Sequence, residues 1–259
     1  MTPPSRATPA GRAYLDIQKR ARADRRPVDE YLQFYVLECF LARLSCSRFA
    51  ERYVLKGGAL LAAFGERRPT SHLWTARTQF HIDVNVGDPI HPSPNAIEVP
   101  RLLGGELIVL GYPLAMVFAE KIVTAVARGT QSTRWRDFAD IYLLARRHRM
   151  DGGQLVRSIR EVAAHRGTEL APLGEVLDDY GRIGQAQWSA WLRRQQMVGR
   201  LPDQFNDVVA AVTTFADPAI TGTSAGRQWL PATAEWTAPL VGEPTAVQSK
   251  HGTVRANRF

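Results

Sequence analysis

Residues 80–86, Phe80-His81-Ile82-Asp83-Val84-Asn85-Val86, alternate apolar and polar side chains with a period of two. That period predicts a β-strand with Phe80, Ile82, Val84 and Val86 on one face and His81, Asp83 and Asn85 on the other. Gly87-Asp88-Pro89 closes the strand, with Asp88 expected to cap the turn. A carboxylate in a strand that buries one face is costly to desolvate. Asp83 therefore suggests metal or phosphate chemistry, since hard divalent ions take oxygen ligands. The plain alternative is a solvated sheet face.

The rest of the chain follows a helical rhythm. Residues 1–27 read as a flexible basic arm, although 11–22 can form a helix. Over 28–50, Leu32, Tyr35, Val36, Cys39, Phe40 and Leu44 recur at three and four, which predicts a helix. Residues 53–55 make a short strand or helix end, Lys56-Gly57-Gly58 breaks it, and 59–64 favours a short helix. A proline-punctuated loop is expected to run to Pro100, and 102–110 read as a second strand or hairpin edge. Pro113 can begin a helix over 114–128 that Gly129 stops. Residues 135–148 form another, and helices continue to about Phe215, with a break at Asp217-Pro218. The pattern is α+β: a small sheet in the N-terminal half and a helical C-terminal half. Boundaries fall at 28–112 for the core, 113–220 for the helical domain and 221–259 for a poorly structured tail that Trp229 and Trp236 can pin.

Charge narrows the class of partner. The 259 residues carry 33 Lys and Arg against 25 Asp and Glu, a net charge of +8 dominated by arginine. Such a surface favours polyanions, and guanidinium forks suit phosphate. The longest apolar runs, such as 114–117 and 142–145, are too short to span a bilayer. Residues 1–10 lack the apolar core of a secretory signal. Cys39 and Cys46, seven apart on a helix, stand roughly 10 Å from each other, beyond disulfide reach. A cytoplasmic protein is the expectation.

Three clusters can carry chemistry. In Lys56-Gly57-Gly58-Ala59, two glycines before a helix let backbone N–H groups approach a phosphate; the commoner reading is a turn. On the 114–128 helix, Lys121 and Arg128 are seven apart and share a face, as they also would on an ordinary solvated helix. In Arg134-Trp135-Arg136-Asp137-Phe138-Ala139-Asp140-Ile141, Asp137 and Asp140 share a face, and Arg136 can pair with Asp140. Asp137 can equally serve the helix dipole. Two adjacent helices joined at Gly129 can bring Lys121, Arg128, Asp137 and Asp140 to one cleft.

The order Lys56-Gly57-Gly58-Ala59-Leu60-Leu61, Asp83, Ala119-Glu120-Lys121-Ile122 and Arg134 through Ile141 resembles AbiEii/AbiGii-type nucleotidyltransferase toxins of the polymerase-β-like nucleotidyltransferase superfamily. The resemblance covers about residues 30–220. It implies a nucleotidyltransferase-like small mixed sheet with helices, followed by a helical C-terminal domain. It also implies Mg²⁺-dependent transfer of NMP from an NTP to an RNA acceptor such as tRNA, and a cognate antitoxin protein. Carried over by position, Lys56, Gly57, Gly58, Arg128 and Arg136 would bind nucleotide, and Lys121 would contact phosphate. Asp83 would be a catalytic and metal-binding carboxylate, and Asp137 or Asp140 the acid of the last motif.

One departure is expected to matter. The resemblance implies an Asp-x-Asp strand after an element like Arg67-Arg68-Pro69-Thr70, because two-metal chemistry needs several converging oxygens. Ser71-His72-Leu73-Trp74 follows instead, and nothing acidic lies between Glu66 and Asp83. Residues 71–79 cannot hold a strand, a crossover and a return. The expectation is an internally shortened core with impaired transfer. The alternative is a non-catalytic RNA- or antitoxin-binding relic of the same fold.

Overall fold

The computed structural model describes residues 4–61 and 84–238. The chain opens with α1 (Pro9–Ala23) and α2 (Val28–Ser45). Where a basic arm was expected, α1 is capped by the Thr8 side chain, which accepts from Gly11 N, and starts on Pro9. Ile17 and Ala21, one turn apart, pack with Tyr31 of α2 in a small core of their own. A short α3 (Gly58–Leu61) follows.

The first sheet is a hairpin, β1 (Asn95–Pro100) and β2 (Glu106–Gly111), antiparallel with Asn95 opposite Gly111. Ile97 and Val99 of β1 are buried, so the segment expected as loop carries a strand's period-two pattern. Leu102–Gly105 lies in the hairpin turn rather than in β2. Leu55 adds a parallel bridge beside β2: its N–H donates to Leu110 O, and its carbonyl accepts from Tyr112 N. That single parallel bridge flanks an antiparallel hairpin, and helices with small antiparallel sheets are in line with the α+β expectation. Glu38 of α2 is buried and accepts from Leu102 N at 2.9 Å, which ties the hairpin to α2.

The strand expected at 80–86 needs correcting where it is described. Val84, Asn85 and Val86 are irregular, and Val86 is 92% exposed. Alternation predicts which face a strand would bury, but not that a partner strand will pair with it; the neighbours of β2 are β1 and Leu55. Phe80 through Asp83 lie outside the described residues, as do residues 71–79, where a shortened segment was expected, and the tail beyond 238.

The helical half begins as expected. Pro113 precedes α4 (Leu114–Arg128), and Gly129 ends it at φ +51°. Next come α5 (Trp135–Ala145), β3 (Met150–Asp151), α6 (Gly152–Arg166), α7 (Leu173–Val176), α8 (Tyr180–Ile183), α9 (Gln185–Arg194) and α10 (Phe205–Ile220). Helix α10 continues through Pro218 to Ile220, past the expected break. One missing N–H near a helix end is tolerated when burial compensates; Phe215, Ala216, Ala219 and Ile220 are all buried. β4 (Gln228–Leu230) and β5 (Glu235–Thr237) join β3 in a second antiparallel sheet. No described helix is long and apolar enough to cross a membrane.

One apolar core runs from Leu41 to Trp229. Aromatic rings organise it. Trp135 and Phe138 of α5 pack against Tyr180 of α8 and Phe205 of α10, with centroids 5.2–5.7 Å apart. Phe215 meets Phe118 of α4 at 4.6 Å and Trp229 at 4.9 Å. Trp229 donates to Ala145 O and Trp236 to Phe215 O, so both tryptophans hold residues 228–237 onto the helices. Phe215→Ala is expected to lower stability by about 3–5 kcal/mol, read as a fall in urea midpoint, because it empties a fully buried ring site. A loss below about 1 kcal/mol would refute this reading of the core.

Candidate functional site

The cleft forms where the first sheet meets the helical half. It encloses about 280 Å³ and is lined by Lys56, Gly57, Gly58, Tyr112, Lys121, Asp137 and Asp140, among others. Gly57 has φ +77°, a conformation other residues rarely adopt, and among the described residues a Cβ on Gly57 or Gly58 would meet nothing within 4 Å. The turn therefore presents bare backbone to the open side of the cleft.

The inner wall comes from α4 and α5. Lys121 Nζ donates to Asp137 Oδ1 at 2.7 Å and to Asp140 Oδ2 at 2.8 Å. The two aspartates share a face because three residues nearly complete a helical turn. The side chain of Asp140 is fully buried and that of Lys121 is 16% exposed. Burial by itself would lower the Lys121 pKa; Asp140 and Asp137 outweigh it and hold the ammonium above its ordinary 10.5. Lys121 is thus a fixed cation at neutral pH and not a base or nucleophile.

A second lysine stands on the opposite side. Lys56 Nζ donates to Asp88 Oδ2 at 2.5 Å and lies 3.6 Å from Glu120 Oε1 on α4. Asp88 therefore holds Lys56 rather than simply capping the turn before Pro89. Burial opposes the Lys56 charge, but the Asp88 hydrogen bond and Glu120 raise its pKa overall. Reciprocally, the Lys56 hydrogen bond lowers the Asp88 pKa below its ordinary 3.8. Arg166 of α6 donates from Nη1 to Thr124 Oγ1 at 2.9 Å, and its Nη2 lies 3.8 Å from Glu120. Arg134 Nη1 lies 3.7 Å from Asp137.

The structure brings Lys56, Gly57, Gly58, Lys121, Arg136, Asp137 and Asp140 to this one cleft. Arg128, expected beside Lys121, is exposed at the end of α4 and does not line it. The cleft lining on α4 runs from Val117 to Thr124 and stops one turn short of Arg128. Asp83 lies outside the described residues. Asp88, Arg134 and Arg166 were missed as site residues. Glu120 sat in a quoted motif without a role. No local spacing marks Arg166, whose partner Glu120 is 46 residues away.

The described residues do not compose a Mg²⁺ site. Among the described residues no three His, Cys, Asp or Glu side chains converge to hold a metal ion. The carboxylates that line the cleft are committed to lysines.

Comparison with known families decides the relationship. The nucleotidyl transferase AbiEii toxin family, of type IV toxin–antitoxin systems, matches residues 67–211. The chain belongs to this family. No curated protein and no solved structure matches it. The AbiEii match contains Lys121, Asp137, Asp140 and Arg166 and begins after Lys56-Gly57-Gly58. The AbiEii region thus includes the inner wall of the cleft, and the glycine turn joins it from upstream.

Two expectations follow from the pairs. Asp140→Ala is expected to destabilise the fold by about 3–5 kcal/mol in urea denaturation, because it strands a buried lysine beside one remaining partner. An unchanged midpoint would show that the bridge is not structural. The pH dependence has a definite sign. The folded pKa of Asp88 is lowered, so its contribution is present above pH 3.8 and is lost as pH falls through the folded value. The melting-temperature gap between wild type and Asp88→Asn should therefore narrow on acidification below pH 3.8. A gap that widens there would contradict the pairing with Lys56.

Proposed function

We propose that this AbiEii-family protein is a toxin homologue whose cleft takes an NTP and transfers NMP to an RNA acceptor, tRNA being the acceptor class implied, with turnover impaired. The observation that carries the reading is the Lys121 bridge to Asp137 and Asp140, which sets the family's last two motifs side by side in a cleft lined by the Lys56-Gly57-Gly58 turn. Basic charge supports a polyanionic substrate. In this reading the glycine turn and the arginines at the cleft orient the triphosphate. Mg²⁺ is the expected metal of the family chemistry, with Asp83 as its proposed ligand. No step is assigned through the metal, because the described carboxylates do not form its site. A cognate antitoxin is the expected genetic partner, and the cytoplasm the expected location.

The impairment follows from the sequence between Glu66 and Asp83, where paired carboxylates are missing. A second reading, a non-catalytic module that binds RNA or antitoxin, is favoured by one observation: the carboxylates at the cleft are already paired with lysines.

Purified protein incubated with labelled NTPs, Mg²⁺ and total tRNA separates the readings. The expected result is weak labelling, lost in Asp83→Ala. Labelling unaffected by Asp83→Ala would refute the assignment of Asp83. No labelling, with steeply salt-dependent RNA binding, would replace transfer by the binding reading.

A further inference from the structure

Two chains of alternating charge meet at the cleft, with all their members but Asp88 in its lining, and they share a common order. In each, an inner lysine is held by two carboxylates, and an arginine stands outside sharing one of them. The first runs Arg134, Asp137, Lys121, Asp140; the second runs Arg166, Glu120, Lys56, Asp88. The outer contacts, at 3.7 and 3.8 Å, are longer than hydrogen bonds. The inner contacts of Lys121, at 2.7 and 2.8 Å, are short and charge-assisted.

In both chains the arginine is the most exposed member. The Arg134 side chain is 55% exposed and that of Arg166 38%, while Asp140 is fully buried. An incoming anion can take Arg134 at the loss of one long ion pair that solvent already screens, and can take Arg166 through Nη2 at the loss of another, while Arg166 Nη1 keeps its bonds to Thr124 Oγ1 and the Glu120 carbonyl. To take Lys121 it must instead break two short bonds and leave a buried carboxylate without its counter-ion. Guanidinium also matches phosphate geometry with paired donors, whereas the ammonium here is already engaged. Thr124 fixes Arg166 along α4, so its guanidinium is held at the cleft in advance.

We infer that phosphate oxyanions entering the cleft are held by Arg134 and Arg166, and that Lys121 is a positioning residue, the internal counter-ion that aligns α4 with α5. This assignment rests on the nucleotide reading above and changes which side chains carry it. The oxyanions belong either to a triphosphate or to an RNA backbone, and the chemistry at the arginines is the same.

The test measures binding of inorganic tripolyphosphate, and separately of a single-stranded RNA oligonucleotide, to the full chain by calorimetry. The variants are Arg134→Gln, Arg166→Gln and Lys121→Met, with Arg193→Gln on the exposed end of α9 as a control for net charge. Each cleft arginine variant is expected to bind about tenfold more weakly than wild type, as the loss of a charge-assisted contact implies. Arg193→Gln should stay within about threefold. Lys121→Met is expected to lower the melting temperature while retaining affinity measured below it. Weakening confined to tripolyphosphate assigns the arginines to the donor nucleotide, and weakening confined to RNA assigns them to the acceptor. Wild-type affinity in both arginine variants, or binding abolished in a folded Lys121→Met, would overturn the assignment. Should Lys121→Met fail to fold, the arginine variants decide alone. Wild-type protein that binds neither probe would instead overturn the nucleotide reading itself, and this assignment with it.

Discussion

The ammonium of Lys121 is the point on which the cleft depends. It joins α4 to α5 through two short bonds, one of them to an aspartate with no exposed side-chain surface. Buried charge is a poor source of net stability, because desolvation offsets much of the attraction. It does punish misalignment, since any shift of α5 along α4 leaves a carboxylate or an ammonium unmatched in a low-dielectric place. Trp135 and Phe138 press the opposite side of α5 onto Tyr180 and Phe205. The helix is therefore held by apolar packing behind and by charge in front, and the cleft wall inherits that definition.

The second lysine extends the logic to the N-terminal half. Lys56 sits after the Leu55 bridge to the sheet and reaches both Asp88 and Glu120. It thereby ties the glycine turn, the segment leading into β1 and helix α4 at one point. The cleft between the two lysines is not a plain basic groove. Each inner lysine is shared by two carboxylates, and an arginine at the outer end completes the balance of each chain. The AbiEii match spans the helices that carry Lys121, Asp137 and Asp140, and the packing of those helices brings the three side chains together.

Particular elements show why some features were readable in advance. Helix α4 was legible at both ends, because Pro113 and Gly129 punctuate through backbone geometry that no distant contact need supply. The Asp137 and Asp140 pair was legible from a spacing of three, and the cleft from its order with Lys121. Hairpin residues 95–100 were hidden behind their prolines, since pairing with β2 is a contact between segments. Val84 and Val86 misled, because alternation describes a face that exists only if a strand pairs there. Helix α10 ran past Pro218 because its buried face outweighed a single lost hydrogen bond.

Sequence by itself determined the α+β class, the family and the residue types of the inner wall, all of which rest on local periodicity and motif order. Tertiary structure decided which charges meet. Lys56 finds Asp88 across 32 residues, and Arg166 finds Glu120 across 46. Arg128 is left outside although it lies only seven residues from Lys121. The physical reason is range: dihedral preferences and helical spacing act over a few residues, whereas charge pairing in a cleft depends on where whole helices pack.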